Sequence, residues 1–505
     1  MAGRFTSSRG SRWQARCSTR ACTHSVDRAT VIRVDPCAEW ASATSAVSRS
    51  TASRISVHAW LSQNLECASR PGTSPLTEVR DVVVIGGGPA GIAATSVAAE
   101  NGAHVTMIDE GSEPGGQIWR PSARSTQPRR ARRWIARLDA SGAEILRSTS
   151  VVDVERVGER FVVVAVSRGV GRELLATSVV LATGARERFL PFPGWTRPGV
   201  IGVGGAQALA KSGTSFRGRR VVIAGSGPLL LPVAANLSRS GAKVLLVAEQ
   251  APPANVVRFT AGLWSRPFTL AQAAALRAGF MTTPFATGTW VVAARGDTVL
   301  REVTLTDGRS MRTLSCDVLC AAFGLVPNTE IARLLGCAVE LGAVVVDETQ
   351  LTSVANVYCC GEPTGIGGVD LALVEGQIAG LAAAARTVPA QLVSRRARQR
   401  RDATRLDRAF SLRGEVFALA DADTIVCRCE DVRLGSLDRQ WGIRQAKLYT
   451  RAGMGPCQGR VCGAALECLM GWPADSVRVP TQPTPCGTLT GRSSPQELPS
   501  EQGAS

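Results

Sequence analysis

The sequence predicts an α/β chain with two dinucleotide-binding, Rossmann-like domains and a small helical module at the C-terminal end. Three observations predict it. A glycine loop joins an apolar strand to a helix within Val79–Glu110. A second unit of the same plan runs from Gly218 to Gln250. Four cysteines then gather late in the chain, in "VCRCEDV" (Val426–Val432) and "TRAGMGPCQGRVCG" (Thr450–Gly463).

The 505 residues leave room for roughly two to four domains with proper cores. Net charge is +17, which first suggests a polyanion partner. The basic residues are almost all Arg, however, and are spread along the chain. The dense runs Arg129–Trp134 and Ser394–Arg401 read as solvated helix faces. No aromatics interleave with them, so no nucleic-acid partner is expected. No apolar run reaches roughly 18 residues, so no membrane span is expected. The reading is a cytoplasmic protein that meets a membrane respiratory chain only through partners. Fifteen cysteines in so long a chain do not make a small secreted scaffold. Cys316, Cys320, Cys337, Cys359 and Cys360 lie in apolar runs and read as buried thiols. The three histidines are His24, His58 and His104, two of them in the N-terminal extension, which argues against a His base or a His-rich metal site.

Residues 1–77 are Arg- and Ser-rich at the start and lack sustained periodicity. They read as a disordered extension without a site, either transit-like or the product of a misassigned start codon.

Residues 78–198 read as the first half of a dinucleotide domain. "VVVI" suits a buried parallel strand, and Gly86-Gly87-Gly88-Pro89-Ala90-Gly91 matches G-x-G-x-x-G. Gly86 allows the tight turn, Gly88 lets the backbone approach a pyrophosphate, and Gly91 lets helix and strand pack. The helix start offers N–H groups to phosphates. Asp109 closes the second strand, eighteen positions after Gly91, and can accept from a ribose.

Residues 199–313 carry the weaker copy. Gly225 and Gly227 are present, but Leu230 stands at the third glycine position. Glu249 ends its second strand and would favour a free 2′-hydroxyl, hence NAD(H) over NADP. An idle site on a retained fold is the other reading.

Three further segments, "GSEPGGQIWR", "VVLATGARER" and "VYCCGEPTGIGGVDLALVEGQIAGLAAA", resemble those of two-dinucleotide-domain flavoproteins. The resemblance implies FAD held by Gly86, Gly88, Pro89, Ala90, Gly91, Asp109, Glu110, Gly116, Gln117, Ala182, Thr183, Gly184, Gly361 and Glu362. Glu362 stands where many relatives carry Asp. The second half of the flavin domain is placed at 314–387, followed by a linker helix at 388–423. No C-x-x-C lies near the second loop and no cysteine lies in Gly111–Arg120, which argues against disulfide reductase chemistry.

The late cysteines are spaced C-x-C (Cys427, Cys429), then 27 residues, then C-x4-C (Cys457, Cys462). Thiolates suit an iron–sulfur cluster or zinc. Glycines and arginines around them would bring N–H groups and positive charge to the sulfurs. Disulfides and unligated thiols are the remaining readings. Cys468 and Cys486 fall outside the pattern.

"CRCEDV", "YTRAGMGPCQGRVCG", "GGQIWR", "LATGARERFLPFPGW", "FGLVPNTEIARLLGC" and "GEPTGIGGVDLALVEGQIAG" together resemble the FAD-binding α subunits of bacterial heteromeric amine dehydrogenases. That family includes the A subunit of opine oxidase, D-hydroxyproline dehydrogenase α and the hydrogen cyanide synthase flavoprotein subunit. The match spans about Val79 to Pro480. It implies a bacterioferritin-associated-ferredoxin-like [2Fe–2S] module at 424–480, ligated by Cys427, Cys429, Cys457 and Cys462; beyond the match, the Pro-rich 481–505 reads as a disordered tail. It also implies partners: a glycine-oxidase-like FAD-containing β subunit that oxidises the amine, and a small [2Fe–2S] subunit. This chain would relay electrons, and no catalytic acid or base is assigned to it. A stand-alone NADH-dependent FAD reductase feeding its own cluster is the alternative. A nucleotide-sensing or assembly subunit without turnover is a third.

Overall fold

The computed structural model describes residues 78–120, 127–265, 267–473 and 477–486. The expectation for residues 1–77 lies outside the described residues.

The run "VVVI" forms the strand Glu78–Ile85, whose Val82, Val83 and Val84 are fully buried. Apolar on both faces, it sits inside a seven-stranded sheet between parallel neighbours Val105–Ile108 and Val170–Leu181. Glu144–Leu146 extends one side in parallel. On the other side Thr149–Val157, Arg160–Ser167 and Val170–Leu181 form an antiparallel meander. Val357–Cys359 also pairs in parallel with Val170–Leu181, so the first sheet closes with chain from both sides of the insert. Two Ala- and Gly-rich helices, Pro89–Glu100 and Gly368–Ala383, cross on one face of the sheet. A Cβ on Gly376 would lie 2.2 Å from the Ala90 carbonyl oxygen, and one on Gly380 would lie 2.4 Å from that of Ala94. Only bare backbone lets these helices come so close.

The second sheet is all parallel, ordered Phe285–Thr287, Lys243–Glu249, Arg220–Gly225, Val318–Ala322, Val200–Gly202. A three-stranded antiparallel sheet, Trp290–Arg295, Glu302–Thr306 and Met311–Ser315, packs beside it. Each dinucleotide unit thus has its own core, around Ile92 and Met107 in the first and Val222 and Ile223 in the second.

Three expectations need correction. The return to the flavin half was placed at 314, yet Val318–Ala322 registers between Arg220–Gly225 and Val200–Gly202, so the crossing comes after it, at Leu325–Pro327. The tail was placed from 481, yet Thr481 N–H donates to Val152 O at 2.9 Å and its hydroxyl donates to Val151 O at 3.0 Å, tying it to the meander. Of the two Arg runs, Arg129–Trp134 is solvated as expected, its arginines exposed and Arg130 paired with Asp370 at the surface, but Ser394–Arg401 is not simply solvated. In the linker helix Ala390–Ala409, Arg400 reaches the fully buried Glu375 at 2.6 Å.

The cysteine module is a short hairpin, Ile425–Cys427 with Val432–Arg433, and two helices, Ile443–Thr450 and Cys462–Met470. Val426, Ala446, Leu466 and Trp472 form its core. Among the described residues no helix is long and apolar enough to cross a membrane.

Candidate functional site

A cavity of about 860 Å³ opens at the C-terminal ends of the first sheet. Gly86, Gly88, Pro89, Ala90, Asp109, Glu110, Gly116, Gln117, Ala182, Thr183, Gly184 and Glu362 all line it. Gly91 and Gly361 stand behind the wall. A Cβ on Gly91 would fall 1.8 Å from Gly86 O, and one on Gly361 would fall 2.8 Å from Ala90 Cβ. Gly86, at φ +110°, turns the chain against Ala182, whereas Gly88 has nothing within 4 Å of its missing Cβ and leaves the wall bare. The helix then starts at once at Pro89, its fixed φ suiting the first helical position.

The acids of this cavity suit ribose hydroxyls, and the helix start at Gly88 and Pro89 suits a phosphate. Asp109 Oδ1 accepts from Gly111 N–H at 3.2 Å. Its Oδ2 is buried, packed against Gly87. Burial pushes the Asp109 carboxyl up, against the pull of the Gly111 and Gly87 N–H groups. Burial likewise raises Glu110, opposed by Arg460. Glu362 turns its carboxylate to the start of the next helix, accepting from Gly367 N–H at 3.1 Å and Gly368 N–H at 3.0 Å. Its extra methylene is absorbed there, and burial again raises the acid.

A second cavity, about 980 Å³, holds Gly227 and Glu249 in its wall. Gly225 lies behind, where a Cβ would meet Ala322 O at 2.0 Å. With Leu230 at the third glycine position, the helix starts only at Leu230, two positions later than in the first loop. Leu230 N–H and Leu231 N–H instead bond back three residues, to Gly227 O and Pro228 O. Glu249 is buried and points at its own loop: Oε2 accepts from Gly227 N–H and Oε1 from Ala251 N–H, both at 2.8 Å. Burial pushes this acid up to about 7.

The four cysteines lie in neither cavity. They stand as free thiols in two contacting pairs, Cys427 with Cys462 and Cys429 with Cys457. Gly453 N–H donates to Cys427 Sγ at 3.4 Å. A Cβ on Gly455 would fall 2.2 Å from Cys429 Cβ, so glycine is required for the loop to close on the thiols. The Cys462 thiol, aided by Gly453 N–H, holds Cys427 down to about 6 despite burial. Among the described residues no group of three or more His, Cys, Asp or Glu side chains is placed to hold a metal ion, so the structure brings the cysteines together as pairs and not as a set of four. The donor set, all sulfur with N–H groups turned inward, is of the kind that iron–sulfur clusters use. Cys316, Cys320, Cys337, Cys359 and Cys360 are buried, as their apolar settings suggested.

Several residues of the site carried no assignment in the sequence. Asn328 clamps the turn at Thr183, donating from Nδ2 to Thr183 O at 2.9 Å while Thr183 Oγ1 donates to Asn328 O at 2.7 Å. Arg186 donates to Asn328 Oδ1 at 2.7 Å and pairs with Glu330 at 2.8 Å. Glu187 accepts from Gly204 N–H at 2.6 Å and Gly205 N–H at 3.0 Å, and burial raises it. Arg460, between Cys457 and Cys462, lines the first cavity. The signal for Arg186 and Glu187 was present in "GARER", but its spacing does not say which way a side chain turns.

A family model described as Pyridine nucleotide-disulphide oxidoreductase matches residues 80–386. The A subunit of opine oxidase from Rhizobium meliloti (strain 1021) is 34% identical over 433 residues, 77% of this chain and 92% of that one. Hydrogen cyanide synthase subunit HcnB of Pseudomonas aeruginosa is 33% identical over 423 residues, 75% of this chain and 90% of that one. L-proline dehydrogenase from P. horikoshii superposes with a TM-score of 0.59 at 21% identity, over 81% of this chain and 79% of that one, a likeness of fold.

Proposed function

The chain belongs to the pyridine nucleotide-disulphide oxidoreductase family, and from that premise we propose that it is the electron-relaying subunit of a heteromeric amine or imino-acid dehydrogenase, of opine- or D-hydroxyproline-type, carrying FAD and a [2Fe–2S] cluster. Its class, an oxidoreductase, follows from the family. Relatives named as subunits support a division of labour. A glycine-oxidase-like FAD-containing β subunit would oxidise the amine, and a small [2Fe–2S] subunit would complete the complex, in the cytoplasm.

The observation that carries the reading is the position of Arg460. It sits between Cys457 and Cys462 and also walls the first cavity, so one residue borders both proposed redox sites. When bound, FAD takes electrons in pairs and a [2Fe–2S] cluster passes them singly. The chain's own residues hold and screen. Asp109 in the cavity wall would accept from a ribose, Gly88 leaves the wall open to a pyrophosphate, and Thr481 closes the edge beside Val151. Cys427, Cys429, Cys457 and Cys462 would hold the cluster.

Anaerobic purification of the full chain, with flavin and iron assays and low-temperature paramagnetic resonance after reduction, tests this. Stoichiometric flavin with two irons and a reduced-state signal is expected. Flavin without iron or signal ends the relay reading.

A further inference from the structure

The second dinucleotide domain has the loop and the terminal acid of a nicotinamide site, yet the chain's own backbone lies on both. Ser226, between Gly225 and Gly227, donates from Oγ to Phe410 O at 2.6 Å. Gln250, which follows Glu249, donates from Nε2 to Ser411 O at 3.0 Å and to Ser226 Oγ at 2.9 Å. Gln250 Oε1 accepts from Arg413 N–H at 3.1 Å. The segment is also held by its side chains. Phe410 meets Phe259 edge-on at 5.2 Å, Arg413 stacks over Trp290 at 3.9 Å, and Val416 is buried with Val222 and Ala248.

Ser226 and Gln250 end the strands Arg220–Gly225 and Lys243–Glu249. In domains of this type a dinucleotide lies across these strand ends, its pyrophosphate over the glycine loop. Here the donors at that edge are already satisfied by the carbonyls of residues 410 and 411. Gly227 N–H is taken by Glu249, and Pro228 has no N–H. The delayed helix start removes the usual phosphate cradle. The 980 Å³ cavity beside Glu249 has Ala409 and Phe410 in its wall. A dinucleotide running from Glu249 over Ser226 would have to displace this turn.

We infer that this edge is the seat of the chain's own segment 410–417 and that the domain does not hold a nicotinamide dinucleotide. The retained Rossmann unit serves as an anchor for the linker. Electrons then reach this chain by a route other than NADH binding at the second loop.

The test uses the full-length, flavin-loaded chain. Anaerobic titration with NADH is expected to give no flavin bleaching and no saturable binding below about 1 mM. The Ser226→Ala/Gln250→Ala variant is expected to keep its flavin and to be cut by trypsin within residues 388–423 on the order of ten- to a hundredfold faster than wild type, since the seat's hydrogen bonds are lost. Saturable NADH binding by wild type, or unchanged cleavage of a folded variant, overturns the inference. Should the variant not fold, the wild-type titration decides alone. A missing iron signal would sink the relay reading and leave this inference standing.

Discussion

Arg186 Nε donates to the backbone carbonyl of Arg460 at 3.0 Å, joining the strand after the Thr183–Gly184 turn to the loop that carries Cys457 and leads into the helix of Cys462. With Asn328 between Arg186 and Thr183, a run of hydrogen bonds connects the wall of the first cavity to the thiols. Burial lowers Arg186 while Glu330 raises it, so the guanidinium is held by its partners rather than by water.

Replacing Arg186 with Met should therefore loosen the module and strand Glu330. A cost of about 2 kcal/mol is expected, less than for a fully buried pair because Glu330 keeps some solvent. Alkylation of Cys457, followed by mass spectrometry, should speed up in the variant. An unchanged rate would show that Arg186 does not seat the loop.

Gly88→Ala and Gly91→Ala should fail differently. At Gly88 the backbone is extended and the new methyl points into open space, so the fold should survive while FAD affinity falls about tenfold or more. At Gly91 the methyl collides with Gly86 O, so the chain should lose stability itself. Melting curves beside flavin titrations separate the two.

Asp109→Ala removes the carboxylate that stands in the cavity wall as the ribose acceptor. A charged hydrogen bond is worth about 1.5–3 kcal/mol, so FAD should bind roughly ten- to a hundredfold more weakly. Flavin fluorescence on release measures it. Unchanged affinity would place the flavin's ribose elsewhere.

Glu375 is fully buried, pairs with Arg400 at 2.6 Å and Arg396 at 3.6 Å, and accepts from Gly361 N–H at 2.9 Å. Glu375→Ala leaves two partly buried cations without their counter-charge, and a loss of about 3–5 kcal/mol is expected. Glu375→Gln keeps an acceptor for Gly361 and should cost less. Urea midpoints read by flavin release check the order.

Glu249 sets a pH dependence. Its folded value is pushed from 4.5 to about 7, so the fold binds this proton more tightly than the unfolded chain does. The stabilisation is complete below about 4.5 and is lost as pH rises through 7, up to about 3 kcal/mol. Glu249→Gln should flatten that slope relative to wild type in unfolding curves between pH 5 and 8. Parallel slopes would refute it.

What the sequence made legible was local. The first glycine loop declares itself because Gly86, Gly88 and Gly91 act within one turn of chain, and each occupies the place its spacing required. Leu230 announced the weaker copy, and the delayed helix start is its physical expression. The buried cysteines followed from their apolar neighbours. Long-range pairs were not legible. Arg186 and Arg460 are 274 positions apart, and Arg400 reads as one more arginine of a basic run until the rotation of its helix aims it at Glu375. The run containing Val318–Ala322 is equally apolar for either sheet, so only register assigns it.

The cysteine module is fastened on both sides: before it by residues 410–416 on the second sheet, after it by Thr481 on the meander. It is therefore no bead on a string. A gene fragment ending before residue 410 would leave Ser226, Gln250 and the Val416 hollow facing water, and the same module grafted onto another oxidoreductase would arrive without its moorings. Recombination that shuffles such parts would have to carry the whole chain.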